Sequence, residues 1–397
     1  MATRRDVLLG LGGALALAEA IRPAAAETPA VPTPAAVLDG QDRHQAGIAT
    51  PPSAFALFAA LDLLAQGHPG LEQTLRLLSD EIATLTTPGP VAQGSNALMP
   101  PPDSGLPGER RTEQRLSVPV SVGAEIFDDR FGLANRRPRD LSGMERFPND
   151  AINPDPVHGD LMLQISAGTR EAVLHALRAI VRRTGTLMSP RWQIEGFLPE
   201  RPAIPAEATP RNMLGFKDGT SNLDRTDAAR MGRLVWVQPG AEPAWTEGGT
   251  YQVVRPIRNL VERWDRTQLA AQEAIMGRHK LSGAPLGKTA EHDTPDMALL
   301  PATAHIRLAN PREPATDANL ILRRGYNHAR GLDNTGRMDM GLIFVSYQSS
   351  LDAGFRTVQA RLNGEPLEEY IKPFGVGYFF VLPGRAGQAY LGQTLLA

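Results

Sequence analysis

The sequence predicts an α+β fold built from a duplicated unit, and three observations carry that reading. Residues 160–166 read as an apolar strand, 169–183 as an amphipathic helix and 191–198 as a further apolar segment. The same succession recurs near the C-terminus, with a strand over 340–347, a helix over 351–362 and an apolar segment over 377–382. Both helices space their apolar residues by three or four: Val173, Leu177 and Ile180 in the first, Phe355, Val358 and Leu362 in the second. A strand–helix–strand unit occurring twice in one chain points to two similar α+β halves.

The other elements follow in chain order. Residues 51–65 and 70–85 carry helical spacing, and in the second Leu71, Leu75, Leu78 and Ile82 fall on one face. Residues 86–107 are a loop dense in proline and glycine, 118–126 are strand-like, and 135–155 are loop again. Thr169 is placed to cap the helix that follows it. Between the two copies, 234–238 and 251–256 are strand-like. Residues 259–278 read as one helix with Leu260, Trp264 and Leu269 apolar, and 279–298 as an exposed polar loop.

Composition narrows the function. The chain has 397 residues, enough for two domains, and a formal charge of −2, which gives no reason to expect nucleic acid or an acidic membrane as partner. It has no cysteine, which excludes disulfides, thiolate nucleophiles and thiolate-ligated haem. The N-terminus is distinctive. Thr3-Arg4-Arg5-Asp6-Val7-Leu8-Leu9 is a twin-arginine pattern, followed by an apolar stretch over 7–18 that is too short to span a bilayer. Ala24-Ala25-Ala26 supplies small residues for a cleavage site, so residues 1–26 read as a twin-arginine signal peptide cut after Ala26. Residues 27–214 and 215–397 then form the N-terminal and C-terminal halves.

Three residue types carry chemistry. His305 precedes Ile306-Arg-Leu308, read as a strand, and is the best iron-ligand candidate of eight histidines. Read alone, a single histidine is more often a hydrogen-bonded core residue than an iron ligand. Asp218 lies in Gly215-Phe-Lys-Asp-Gly219, whose glycines let backbone approach a flat cofactor; the bland alternative is an ordinary Asp-Gly turn. Arg323 follows His305 by 18 residues, a gap that suits a strand, a turn and a return strand over the same site. A metal cluster around His292 lacks further ligands at suitable spacing. A peroxidase needs such a set: a carboxylate moves the peroxide proton, and a permanent cation stabilises the charge that develops.

Together these residues resemble the dye-decolourising peroxidase family, defined by a Gly-x-x-Asp-Gly motif, a histidine haem ligand and a distal arginine. His44-Gln-Ala-Gly-Ile48, Gly249-Thr-Tyr251, Trp264-Asp-Arg-Thr267, Gly283-Ala-Pro-Leu286, Ala304-His-Ile-Arg-Leu-Ala-Asn-Pro-Arg312 and Asp339-Met-Gly341 extend the likeness over nearly the whole mature chain. They are similar to the exported branch of periplasmic deferrochelatase/peroxidases that act beside a ferrous-iron uptake system.

The resemblance implies two ferredoxin-like halves with antiparallel sheets and helices outside, the second half holding one haem b, and a homodimer. It implies His305 as proximal ligand, Asp218 as distal acid–base and Arg323 as distal cation. Gly219, Thr220 and Ser221 match haem-lining positions; Asn310, Pro311 and Arg312 match a turn at the haem edge, with Arg312 facing a propionate. Glu369, or Glu368 beside it, matches the carboxylate partner of the proximal histidine. Gly325 stands where some relatives carry a distal asparagine. The activity implied is reduction of hydrogen peroxide with oxidation of small donors, together with removal of iron from haem or oxidation of ferrous iron. A haem carrier is the alternative, but it has no need of a distal acid–cation pair.

Overall fold

The structure is a computed structural model; it describes residues 43–111, 115–153, 155–199 and 208–397. The twin-arginine segment and its cleavage site lie outside the described residues.

Eight strands build the frame. They are β1 (Phe55–Leu63), β2 (Val120–Gly123), β3 (Leu161–Ala167), β4 (Met188–Phe197), β5 (Thr250–Asn259), β6 (Tyr326–Leu332), β7 (Met338–Gln348) and β8 (Gly377–Val381). The first four pair antiparallel in the order β4-β1-β3-β2 and the last four in the order β8-β5-β7-β6. The order within each set is the same, so the repeat seen in sequence is a repeat of topology. Two junctions join the sets: Phe197 opposite Asn327 between β4 and β6, and Phe379 to Val381 opposite Gly123 to Ser121 between β8 and β2. The eight strands therefore close into a ring, which removes the exposed edges an open sheet would carry.

Strand alternation decides what each face meets. On β1, Leu57, Ala59, Leu61 and Leu63 pack outward against two helices, α1 (Gly67–Thr86) and α2 (Arg170–Thr184). Ala56, Phe58 and Ala60 point inward, where they join Val254, Tyr326, Ile343, Val345 and Tyr347 from the second set. The faces read from sequence hold: Leu71, Leu75, Leu78 and Ile82 of α1 and Val173, Leu177 and Ile180 of α2 are buried. Thr169 does cap α2, its hydroxyl accepting from the Ala172 amide at 3.3 Å.

Several elements differ from the sequence reading. Residues 51–65 contain β1, not a helix; β1 is apolar from Phe55 to Leu61 and buried on both faces there, so its run carries no period to distinguish strand from helix. Residues 234–238 are not a strand but follow a short helix, Ala228–Leu234, started by Asp227, whose carboxylate accepts from the Arg230 amide at 3.0 Å. The single helix over 259–278 is two, Val261–Trp264 and Leu269–Met276. The Gln272 side chain bonds the Trp264 and Thr267 carbonyls, satisfying the break between them. The helix after β7 begins as a π-turn, Asp352–Arg356, before its α-helical part, Thr357–Leu362.

Candidate active site

On the second set of strands the outward face is not closed by two long helices. It carries a cavity. Arg255, Ile257 and Asn259 of β5 and Leu342 and Phe344 of β7 form its floor, and the helix Thr357–Leu362 with its π-turn supplies Phe355, Val358, Gln359 and Leu362 as one wall. The polar residues singled out from sequence stand on the remaining walls: Asp218, Gly219, Thr220, Ser221, His305, Asn310, Arg312 and Arg323.

Asp218 is delivered by a tight turn. Arg211 and Lys217 face each other across it, the Asn212 side chain accepts the Leu214 and Phe216 amides, and the Asp218 amide donates to Pro210. Gly215 and Gly219 have φ of +83° and +126°, which side-chain-bearing residues rarely adopt, so this turn needs both glycines. Glu291 fastens the turn from outside, paired with Lys217 and accepting the Thr220 hydroxyl at 2.9 Å. Burial alone would raise the Glu291 pKa, but hydrogen bonds from Lys217, Thr209 and Thr220 outweigh it and hold it at about 2. A depressed carboxylate contributes stability that is present above its unfolded pKa and lost as pH falls through the folded one. The fastening should therefore weaken as pH falls from about 4.5 through about 2. Glu291→Gln should remove that part of the acid dependence, measured as amide exchange across residues 215–221 and 279–292. An unchanged pH profile in the variant would exclude this role.

Arg323 ends a two-residue strand, Leu322–Arg323, that pairs with β7 at Ser346 and Tyr347. Asn222 locks its backbone, accepting the Arg323 amide at 2.9 Å and donating to its carbonyl at 2.7 Å. The side chain then reaches Asp218, Nη1 to Oδ1 at 3.3 Å. The same pair also lines a second pocket, walled by Ile48, Arg225, Leu322 and Gly325, so small molecules can approach it from a side other than the main cavity.

His305 starts a short helix, His305–Ala309, where sequence had a strand; the Leu308 amide reaches back to the Ala304 carbonyl to close the turn. Chain direction still returns Arg323 to the same cavity, through the 3₁₀ turn Pro314–Asn319. The carboxylate behind the histidine is Glu365, not Glu369 or Glu368. Both Glu365 oxygens lie within 3.0 Å of His305 Nδ1 and its side chain is 3% exposed, whereas Glu369 is 59% exposed and pairs with Arg263. Sequence gave no handle on this contact, which joins residues 60 apart through a Gly364–Pro366 bend. Burial opposes protonation of His305, but the Glu365 charge and hydrogen bond more than offset it, and the net shift is upward. With Nδ1 engaged, Nε2 is the nitrogen left for a ligand, and an imidazole backed by a carboxylate is a stronger donor.

Pro311 is the one expected cofactor contact that does not reach the wall. It shapes the turn that puts Arg312 at φ +60°, with the Asn310 side chain accepting the Arg312 amide at 3.1 Å. Sequence reasoning also missed Arg278, Arg255 and Asp150, which line the cavity.

Residues 45–198 match the family described as Dyp-type peroxidase, N-terminal, and residues 209–386 match Dyp-type peroxidase, C-terminal. The chain belongs to the Dyp-type peroxidase family. It is 47% identical to a deferrochelatase of Escherichia coli O6:K15:H31, across 99% of this chain and 97% of that one. It is 48% identical to a deferrochelatase of Yersinia pseudotuberculosis, across 99% and 95%. Among solved structures it is similar to a DyP-type peroxidase from Cellulomonas bogoriensis, with 35% identity, a TM-score of 0.80 and coverage of 90% of this chain and 97% of that one. Ferric DtpA from Streptomyces lividans gives 32%, 0.81, 92% and 99%.

Membership makes this protein a haem-dependent peroxidase, and the residues present fit the group. The floor and walls are apolar where a macrocycle would lie, with Leu214, Phe216, Ile257, Met276, Phe344 and Leu362. One histidine nitrogen, His305 Nε2, is available to hold an iron.

Proposed function

We propose that this protein is an exported haem b peroxidase that reduces hydrogen peroxide, oxidises small donors and also releases iron from haem. The observation that carries the reading is one cavity bearing both a carboxylate-backed histidine, His305 with Glu365, and an acid–cation pair, Asp218 with Arg323. Haem, when bound, supplies the iron at which peroxide is reduced. His305 Nε2 would hold that iron. Asp218 would take the proton from the incoming peroxide and return one to its outer oxygen, while Arg323 stabilises the negative charge as it forms. A carrier would use the first feature and have no use for the second.

The iron role is supported by the two deferrochelatase relatives, which this chain matches along nearly their whole length. The test is to incubate the haem-loaded protein with a ferrous chelator and follow two signals, chelated iron and the fluorescence of intact metal-free porphyrin. Both should rise together. Iron release with porphyrin breakdown, or none at all, would remove this half of the proposal. The peroxidase half is tested by the absorption spectrum before and after one equivalent of peroxide.

Export rests on Arg4 and Arg5 and the segment behind them. Arg4→Lys with Arg5→Lys should leave precursor in the cytoplasm, read by fractionation; continued export would count against the twin-arginine route. We place the mature protein in the periplasm, as a homodimer beside a ferrous-iron uptake system. Cross-linking and sedimentation test the dimer.

A further inference from the structure

The second pocket carries more positive charge than its own acids offset. Arg211, Arg225, Arg323 and Arg324 line it, against two carboxylates, Asp218 and Asp224. Asp218 pairs with Arg323, and Asp224 accepts the Thr226 amide and hydroxyl at 2.9 and 2.7 Å. Among the described residues, Arg211, Arg225 and Arg324 donate to backbone carbonyls alone. Arg211 spreads its donors over Gly215, Lys280 and Leu281. Arg225 and Arg324 instead meet at Thr50. Arg225 Nη1 donates to the Thr50 carbonyl at 3.0 Å, and Arg324 Nη1 donates to that same carbonyl and to Ile48 at 3.3 Å. Arg324 is only 6% exposed, and its Nε has no partner among the described residues.

Two cations sharing one neutral oxygen repel each other. Burial lowers the Arg225 pKa, and the charge of Arg324 lowers it further. A guanidinium keeps its proton through such a shift, so both charges persist. Both residues line the second pocket and not the main cavity. The rest of that pocket includes an apolar wall of Pro52, Leu198, Leu322 and Leu342, and its volume of 360 Å³ suits a small molecule. An anion with an apolar body answers both features. Its carboxylate accepts charge-assisted bonds from the arginines, and its body covers the leucines.

We propose that the second pocket docks a small aromatic carboxylate, held by Arg225 and Arg324 with its ring on the apolar wall, and that such acids are favoured electron donors. The donor role rests on the peroxidase reading above; the binding site does not. Asp218 and Arg323 line the same pocket, so a molecule docked there lies on the open side of the acid–cation pair. A hydroquinone ring oxidised to a quinone gives up two electrons and two protons. One hydrogen peroxide takes up the same number to become two waters, so the exchange balances without a further reactant.

The test uses the haem-loaded full chain. Benzoate and benzyl alcohol, titrated by calorimetry, share a ring and differ in charge. Wild-type protein should bind benzoate about 10-fold more tightly or better, and Arg225→Gln should cut that preference by about 10-fold. In turnover with peroxide, kcat/KM for 2,5-dihydroxybenzoate relative to hydroquinone should fall by about the same factor in Arg225→Gln, through the KM of the acid. A merely structural role for Arg225 would weaken both members of each pair alike and leave the ratios unchanged, which overturns the proposal. Pro52→Glu, at an exposed position on the same wall, provides an independent arm should Arg225→Gln fail to fold. Its carboxylate would compete for the arginines and lower benzoate affinity by about 5-fold or more. Benzoate binding unaltered by Pro52→Glu, or equal binding of benzoate and benzyl alcohol by wild type, would overturn the site. A benzoate preference lost in Arg225→Gln with an unmoved turnover ratio would keep the site and overturn the donor role. Oxidation of neither donor by wild type would instead sink the peroxidase reading, with the benzoate titration still deciding the site.

Discussion

His305→Ala is expected to yield folded protein that does not retain haem, a loss larger than any other single substitution should cause. Among the described residues it supplies the one imidazole on the cavity wall, and Glu365 holds it by Nδ1, leaving Nε2 for a ligand. Its removal takes away the nitrogen that would hold the iron and leaves Glu365, 3% exposed, as a buried carboxylate without its partner. Glu365→Gln should be milder. It keeps a hydrogen-bonding side chain and therefore loading, but weakens the imidazole as a donor, which shows as a shift of the iron reduction potential to higher values. His292→Ala is the suitable control, since His292 does not line the cavity. His328 is a poorer one: it is fully buried on β6, bonds the Ile257 carbonyl at 3.0 Å and packs against Phe374, so its loss would disturb the frame. Haem content by pyridine haemochrome decides the matter, and a normal Soret band in His305→Ala would refute the assignment.

Arg323→Leu is expected to slow the reaction with peroxide by roughly 10²–10³-fold, and more than Asp218→Asn does. The two residues touch, yet water can replace only one of them. Asp218 and Arg323 both line the second pocket, whose wall includes Gly325, and water in that pocket can carry a proton past a missing Asp218. The neighbouring cations are engaged elsewhere: Arg278 and Arg312 are turned to Ser221, and Arg225 of the second pocket donates to the Thr50 carbonyl. The backbone that carries the guanidinium is also fixed in advance, held on both sides by Asn222, which limits reorganisation as charge develops. Asp218→Asn keeps the side chain's shape beside Asn212, and removes the proton acceptor together with the negative charge facing Arg323. Stopped-flow mixing with peroxide, followed at the Soret band with haem bound in both variants, measures the order. A wild-type rate in Arg323→Leu with a slow Asp218→Asn would reverse the two roles.

Local physics explains which parts were legible from sequence. Amphipathic helices against one side of a sheet announce themselves by spacing, as α1 and α2 did, and a threonine before such a run announces its cap. A strand buried on both faces, as β1 is, has no period to read. The short helix Ala228–Leu234 is set by its Asp227 cap and His305–Ala309 by a backbone turn, and each outweighs a short apolar pattern. At the site, Asp218 was visible because two glycines bracket it, and His305 and Arg323 because their flanking residues resemble a known family.

What the sequence alone determined is therefore the duplicated unit, the family and three of the chemical groups, since each leaves a trace within a few residues. Only the tertiary structure decided that the two units close into one ring, that Glu365 rather than Glu369 backs the histidine, and that Arg278 joins Arg312 at Ser221. The physical reason is distance along the chain. Strand pairing across a junction, a buried carboxylate finding an imidazole 60 residues away and two cations sharing a hydroxyl are contacts made in space, and no local pattern of residues encodes which of several acids or arginines will arrive there.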